Sequence, residues 1–346
     1  MMYLTEAEIL DTPLALESTC RYFEKRDGDI ADFFSNNTQK KFTVLGCGSS
    51  FMLAKSAAAL FASMTGTTAS AIPAGDYILN HDFWQETVRD SIVVLLSRSG
   101  MTSEMVWAIK HIKKILGCPA ISITMKEGCD LAPLCDLNLV LDWCYDNSVC
   151  QTRTVTNLYT ASLLLAAKYA GKDSLHRSVL AACQNSNAFN LKYRPMLQEI
   201  AARDWDHAVV LADGPVSGIA EEGALAFTEI AMLPGRCFHL LDYRHGPIVV
   251  SGGKTLTLAL LRPGETELQG AMIRDVMARG GTVVTVSDQA ENLYDAAAHV
   301  QIAGVEDFAA WGILFIYVAQ MTALLKALAL GGNPDQPQGL DAYISL

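Results

Sequence analysis

Val44-Leu45-Gly46-Cys47-Gly48-Ser49-Ser50, followed by the alanine-rich run Leu53 to Phe61, reads as a buried strand that turns on glycines into a helix. A second stretch, Val94-Leu95-Leu96-Ser97-Arg98-Ser99-Gly100-Met101-Thr102, has the same form and opens into another helical run. Outward from these, Leu4 to Phe34 reads as helical, Phe42 to Gly46, Ser91 to Leu96 and Ala120 to Thr124 as strands, and Ser50 to Met64 and Thr102 to Leu116 as helices. Such alternation predicts an α/β protein with a parallel sheet covered by helices on both faces. The pattern then returns. Val210-Leu211-Ala212-Asp213-Gly214 before Ile219 to Phe227 echoes the first stretch, and Leu260-Leu261-Arg262-Pro263-Gly264-Glu265-Thr266 echoes the second, each displaced by about 165 residues. The expectation is two doubly wound parallel-sheet domains from an internal duplication. An N-terminal helical segment is placed at 1–36, the first domain at 37–175, a connecting helical segment at 176–203 and the second domain at 204–346.

The two loops suit a phosphate monoester held without a metal: glycines admit the backbone, hydroxyls donate hydrogen bonds, and helix N-termini aim N–H groups at the anion. A lone Gly-Ser-Ser is usually a turn or a cap, but two such loops on neighbouring strands point to a ligand. Only the first copy is equipped for it. Beside Gly48 it carries Ser49, Ser50, Ser97, Ser99 and Thr102, where the second, beside Gly214, has Asp213, Pro215, Leu261, Pro263 and Glu265. Acidic side chains repel phosphate, and proline has no N–H to offer.

With 346 residues the chain is long enough for two cores, and its net charge of −11, without any long Lys/Arg run, argues against nucleic acid as a partner. Nine cysteines without a Cys-x-x-Cys pair or a histidine-rich cluster predict buried thiols of a cytoplasmic protein rather than zinc ligands. The uncharged run Phe308 to Leu325 includes Gln320 and Thr322 and reads as a core or subunit-interface helix, not a membrane span. No metal and no cofactor is called for. His81, His111, His176, His207, His239 and His299 have no ligand-like spacing, and Cys144 with Cys150 lacks further partners.

Taken together, Glu8-Ile9-Leu10-Asp11-Thr12-Pro13, Gly46 to Ser50, Ser97 to Thr102, Arg244-His245-Gly246-Pro247 and Asn333-Pro334-Asp335-Gln336-Pro337 resemble the tandem SIS-domain (sugar isomerase) family, whose fold is flavodoxin-like. The chain is similar to the isomerase half of glutamine:fructose-6-phosphate aminotransferases and to fructosamine-6-phosphate deglycases. The resemblance implies a sugar 6-phosphate or amino-sugar 6-phosphate as ligand, its phosphate on Ser50, Ser97, Ser99 and Thr102, with further contacts from Val149 and Gln151. Asp146 matches an acidic residue that would meet a sugar hydroxyl or amine. Glu229 matches the base that moves a proton between C1 and C2 of the open-chain sugar, and His245 the residue that assists ring opening, supplied by a neighbouring subunit. A homodimer or higher homo-oligomer is therefore implied, with no membrane partner.

Departures narrow the activity. Ala226 stands where the aminotransferases have a lysine, no lysine follows Lys326, and no N-terminal glutaminase cysteine is present, the first being Cys20. Arg98 replaces a common glutamine and would strengthen phosphate binding or meet a substrate carboxylate. The leading expectation is a fructosamine-6-phosphate deglycase. The alternatives are an aldose-ketose phosphosugar isomerase or a glucosamine-6-phosphate deaminase-type enzyme, and, from another class, a non-catalytic phosphosugar sensor.

Overall fold

The computed structural model describes residues 2–340 apart from Thr65 and Glu265, so Glu265 and the tail from Asp341 onward lie outside the described residues. Two five-stranded sheets are formed, and every strand pair is parallel. The first contains β1 (Lys41–Gly46), β2 (Thr68–Pro73), β3 (Ile92–Ser97), β4 (Ala120–Thr124) and β5 (Leu137–Val140), in the order β2-β1-β3-β4-β5. The second contains β6 (His207–Leu211), β7 (Gly235–Phe238), β8 (Thr255–Leu260), β9 (Thr282–Ser287) and β10 (Ala298–Gln301), in the order β10-β9-β8-β6-β7. Read from the other edge, this is the same winding. In each sheet the chain reverses its direction of travel between the first and third strands, which leaves a crevice at their carboxyl ends.

The helices follow the apolar periodicity. N-terminal α1 (Leu4–Lys25) and α2 (Asp27–Asn36) precede the first sheet; α3 (Ser49–Ala62), α4 (Ala74–Leu79), α5 (His81–Val88) and α6 (Ser103–Leu116) lie within it. Next come α7 (Arg153–Ala170), α8 (Asp173–Ala201), α9 (Ser217–Ile230), α10 (Thr266–Met277) and α11 (Trp311–Ala329). The break in the long helical run falls at Gly171, whose φ of +60° ends α7. A domain boundary at residue 175 therefore cuts into α8, whose first turn begins at Asp173.

One apolar core spans both halves, joining Val44 and Leu96 of the first sheet, Val210 and Leu258 of the second, and Leu158, Phe227 and Phe315 of the helices between them. Smaller clusters fill the outer faces under α6 and α10. The apolar run Phe308 to Ala329 is the single helix among the described residues long and apolar enough to cross a bilayer, and it is 89% buried within the chain. It packs on α8 and α9. Of the two roles expected for it, the core is the one it fills, and its apolar faces are covered by this chain rather than left for a second copy.

What brings the halves together at the crevice is the crossing of α3 and α9. Gly218 approaches so closely that a Cβ there would stand 2.2 Å from Met52 O and 2.7 Å from Ser56 N. Beside it, Ile219 N donates to Ser56 Oγ at 3.0 Å, and Lys55 pairs with Glu221 at 2.7 Å. The crossing directs one face of α9, spaced Gly218, Glu222 and Glu229, toward the start of α3.

Candidate active site

Both serine loops end neighbouring strands. β1 and β3 pair in register, Leu45 beside Leu95, so the loops that follow them open on one crevice. The second loop is rigid. Gly100 has φ +62°, and a Cβ there would lie 2.3 Å from Cys129 Sγ, so any side chain would be excluded twice over. Ser97 Oγ accepts from Gly100 N at 3.0 Å and Ser99 Oγ from Met101 N at 3.1 Å. A hydroxyl oxygen that accepts from its own loop keeps its proton free to donate, as an anion requires.

A cleft of about 300 Å³ opens there, within the range of small-molecule sites. Of the residues expected from sequence, Gly48, Ser49, Ser50, Ser97, Arg98, Ser99, Thr102, Val149, Gln151 and Glu229 line it. Val149 and Gln151 reach it from the segment between β5 and α7, and Glu229 from the other half of the chain. The matching turn of the second half is closed on itself: Asp213 Oδ1 meets His239 Nδ1 at 3.1 Å and Leu240 N at 3.4 Å.

Two expected residues are elsewhere. Asp146 is buried, and its Oδ2 accepts from Thr152 N at 2.7 Å and Thr154 N at 2.9 Å, so it caps α7 instead of facing a ligand. Burial, then the neighbouring Glu8 carboxylate, raise its pKa to about 7. His245 follows a single helical turn, is exposed, and does not line the cleft of its own chain.

Arg98 is also placed differently from a free cation. It is buried in the wall, and its Nη1 donates to Ser148 O at 3.1 Å. Its charge is nevertheless felt by Glu229, whose pKa is raised by burial and partly lowered again by Arg98.

Three carboxylates went unread in the sequence. Glu104 lines the cleft from the first turn of α6, and Glu8 holds the segment before α7. Glu222, 2% exposed, lies against Ser49; burial first and then Glu229 push its pKa well above the carboxylate range, with the Ser49 hydroxyl opposing. The legible signal was spacing: Glu222 and Glu229 stand two helical turns apart on one face. Gln151 Oε1, Glu104 Oε2 and Glu222 Oε2 are buried acceptors without a hydrogen-bond partner among the described residues. Among the described residues no group of three His, Cys, Asp or Glu side chains could hold a metal ion. Cys47 also lines the cleft, but burial pushes its thiol up to about 11, which keeps it protonated and weakly nucleophilic.

Glu222 gives a test of this electrostatic picture. Its folded pKa lies above its unfolded value of 4.5, so folding takes up a proton once the unfolded chain ionises. Stability present below that value is lost as pH rises, at up to about 1.4 kcal/mol per pH unit. Glu222→Gln is expected to flatten the fall in urea-unfolding stability as pH rises above the unfolded value of 4.5. An unchanged slope means that Glu222 is ionised in the native protein.

In doubly wound sheets the crevice at the strand reversal is where ligands bind, and here hydroxyls line it. Residues 37–169 match the SIS domain family. The glutamine–fructose-6-phosphate aminotransferase [isomerizing] of Salmonella typhi is 26% identical over 317 residues, covering 88% of this chain and 51% of that protein. The chain thus spans about half the length of the curated relatives it matches. Among solved structures, glucosamine-6-phosphate deaminase from Thermotoga maritima superposes with a TM-score of 0.77 at 24% identity, covering 95% of this chain and 99% of that one. A putative tagatose-6-phosphate ketose/aldose isomerase from Clostridium novyi NT gives a TM-score of 0.87 at 19% identity, covering 99% and 94%.

Proposed function

We propose that the protein is an enzyme acting at C1 and C2 of a sugar 6-phosphate or amino-sugar 6-phosphate. The observation that carries this reading is the meeting of Glu229 with the hydroxyls of Ser50, Ser97, Ser99 and Thr102 in one cleft. The hydroxyls and the N-termini of α3 and α6 hold the phosphate, which fixes the sugar chain across the crevice. Glu229 takes the proton from one of the two carbons and returns it to the other, while the carbonyl and hydroxyl exchange places through an enediol. A carboxyl group with a raised pKa suits both halves of that transfer. His245, exposed and outside the cleft of its own chain, assists ring opening when a second copy supplies it. The reading thus includes a homo-oligomer and two domains of common origin. The matching strand orders of the two sheets support that origin.

Deglycation of a fructose-amino acid 6-phosphate, the leading expectation from sequence, stands behind isomerisation and deamination, because the Arg98 cation that favoured it is held on the carbonyls of Ser148 and Val149. Incubation with fructose 6-phosphate, glucosamine 6-phosphate and fructosamine-6-phosphate adducts, followed by NMR, separates isomerisation, deamination and deglycation. Binding without any product would make the chain a sensor.

The phosphate site is tested independently of turnover. Fructose 6-phosphate is expected to raise the melting temperature by mass action, and fructose is not. The double change Ser99→Ala, Thr102→Ala should abolish most of that shift. Equal shifts from the phosphorylated and free sugars would remove the phosphate site from the serine loops.

A further inference from the structure

The 145–152 segment, which supplies Val149 and Gln151 to the cleft, is irregular backbone between β5 and α7. Its carbonyls before Thr152 stand outside the sheet and helix ladders and take donors from side chains: Arg153 Nη2 donates to Tyr145 O at 2.6 Å and the Ser148 hydroxyl to Cys150 O at 2.8 Å. Arg98, only 5% exposed, answers two of them: Nη1 donates to Ser148 O at 3.1 Å and to Val149 O at 3.4 Å. Its guanidinium carbon lies 5.8 Å from the centre of the Tyr145 ring. Glu8 of α1 accepts from Asn147 N at 2.6 Å and Ser148 N at 3.3 Å, and also from the Ser148 hydroxyl. The segment is gripped between a cation that takes its carbonyls and a carboxylate that takes its amides.

We propose that Arg98 is a positioning residue: together with Glu8 it clamps the 145–151 segment so that Val149 and Gln151 stand as a wall of the cleft, and it acts through that segment rather than by ligating the substrate. One guanidinium nitrogen, Nη1, spans both adjacent carbonyls at the end of a long side chain, a reach that a shorter neutral amide does not have. Its charge reaches Glu229 as well, where it opposes the effect of burial. The clamp belongs to the free protein. Only the choice of ligand below rests on the phosphosugar reading.

Hydrogen exchange of the ligand-free protein decides the question. Arg98→Gln and Glu8→Gln should each speed amide exchange in 145–152 by about tenfold or more, while α8 keeps its protection. Unchanged exchange in that segment in both variants overturns the proposal. Calorimetry with two probes adds a second readout. Arg98→Gln should weaken fructose 6-phosphate but leave inorganic phosphate within about threefold of wild type. A selective loss of inorganic phosphate with unchanged exchange makes Arg98 an anion ligand and overturns the clamp. In turnover, Arg98→Gln should move the acid limb of the pH profile upward, and Arg98→Lys should restore it, which a purely structural defect would not do. If Arg98→Gln exchanges everywhere because it does not fold, Glu8→Gln and Arg98→Lys give the answer. If wild type binds neither probe, the phosphosugar reading fails and the exchange result still decides the clamp.

Discussion

Glu229→Gln is expected to lower turnover of the sugar 6-phosphate by about a hundredfold or more, with affinity changed only a few-fold, the pattern of a group that acts in the transition state. The change keeps size and polarity and removes only the ability to carry a proton between carbons. The hydroxyls proposed to hold the phosphate lie on the first half of the chain and Glu229 on α9. Binding and chemistry are therefore separable by mutation. Steady-state kinetics together with calorimetry check the split. Wild-type turnover in Glu229→Gln would take the base role away from α9, and a parallel loss of affinity would make Glu229 a binding group instead.

Much of this architecture was legible in sequence. Ile92 to Leu96 is apolar throughout, as a strand buried on both faces must be, and the serines and glycine after it mark where the strand turns into a helix. Edge strands were not legible. Thr68–Pro73 is small and half exposed, and Leu137–Val140 is four residues long. Neither carries enough apolar periodicity to stand out. The cleft's serines were found because hydroxyls beside glycine turns are read locally. Asp146 was misplaced for the same reason: local order set it beside the cleft, whereas its carboxylate is held by two amides of α7. Glu8 and Glu222 act across long sequence distances, and only the packed α1 and α9 bring them to the 145–152 segment and to Ser49. Arg98 was seen as a charge, but its partners are main-chain carbonyls that no sequence pattern announces.

Gly218→Ala carries the largest expected loss of stability. Inside a helix this exchange ordinarily stabilises by close to ~1 kcal/mol, because glycine gives up more backbone freedom on folding. Here the sign should reverse. The added Cβ would stand 2.2 Å from Met52 O and 2.7 Å from Ser56 N, both main-chain atoms of α3 that cannot rotate away. Relief requires the two helices to part, which strains the Ile219 to Ser56 hydrogen bond and the Lys55–Glu221 pair. Overpacking of this kind costs about 1–3 kcal/mol, a large share of the stability of an ordinary domain. The same displacement carries Glu222 and Glu229 away from the serine loops, so fructose 6-phosphate turnover should fall further than phosphate binding does. Gly223→Ala is the control: there the nearest atom is Ala319 Cβ at 3.0 Å, a side-chain contact from which α11 can shift slightly. Urea unfolding of both variants gives the comparison. If Gly218→Ala proves as stable as Gly223→Ala, the close approach of α3 and α9 is not what holds the two halves of the cleft in register.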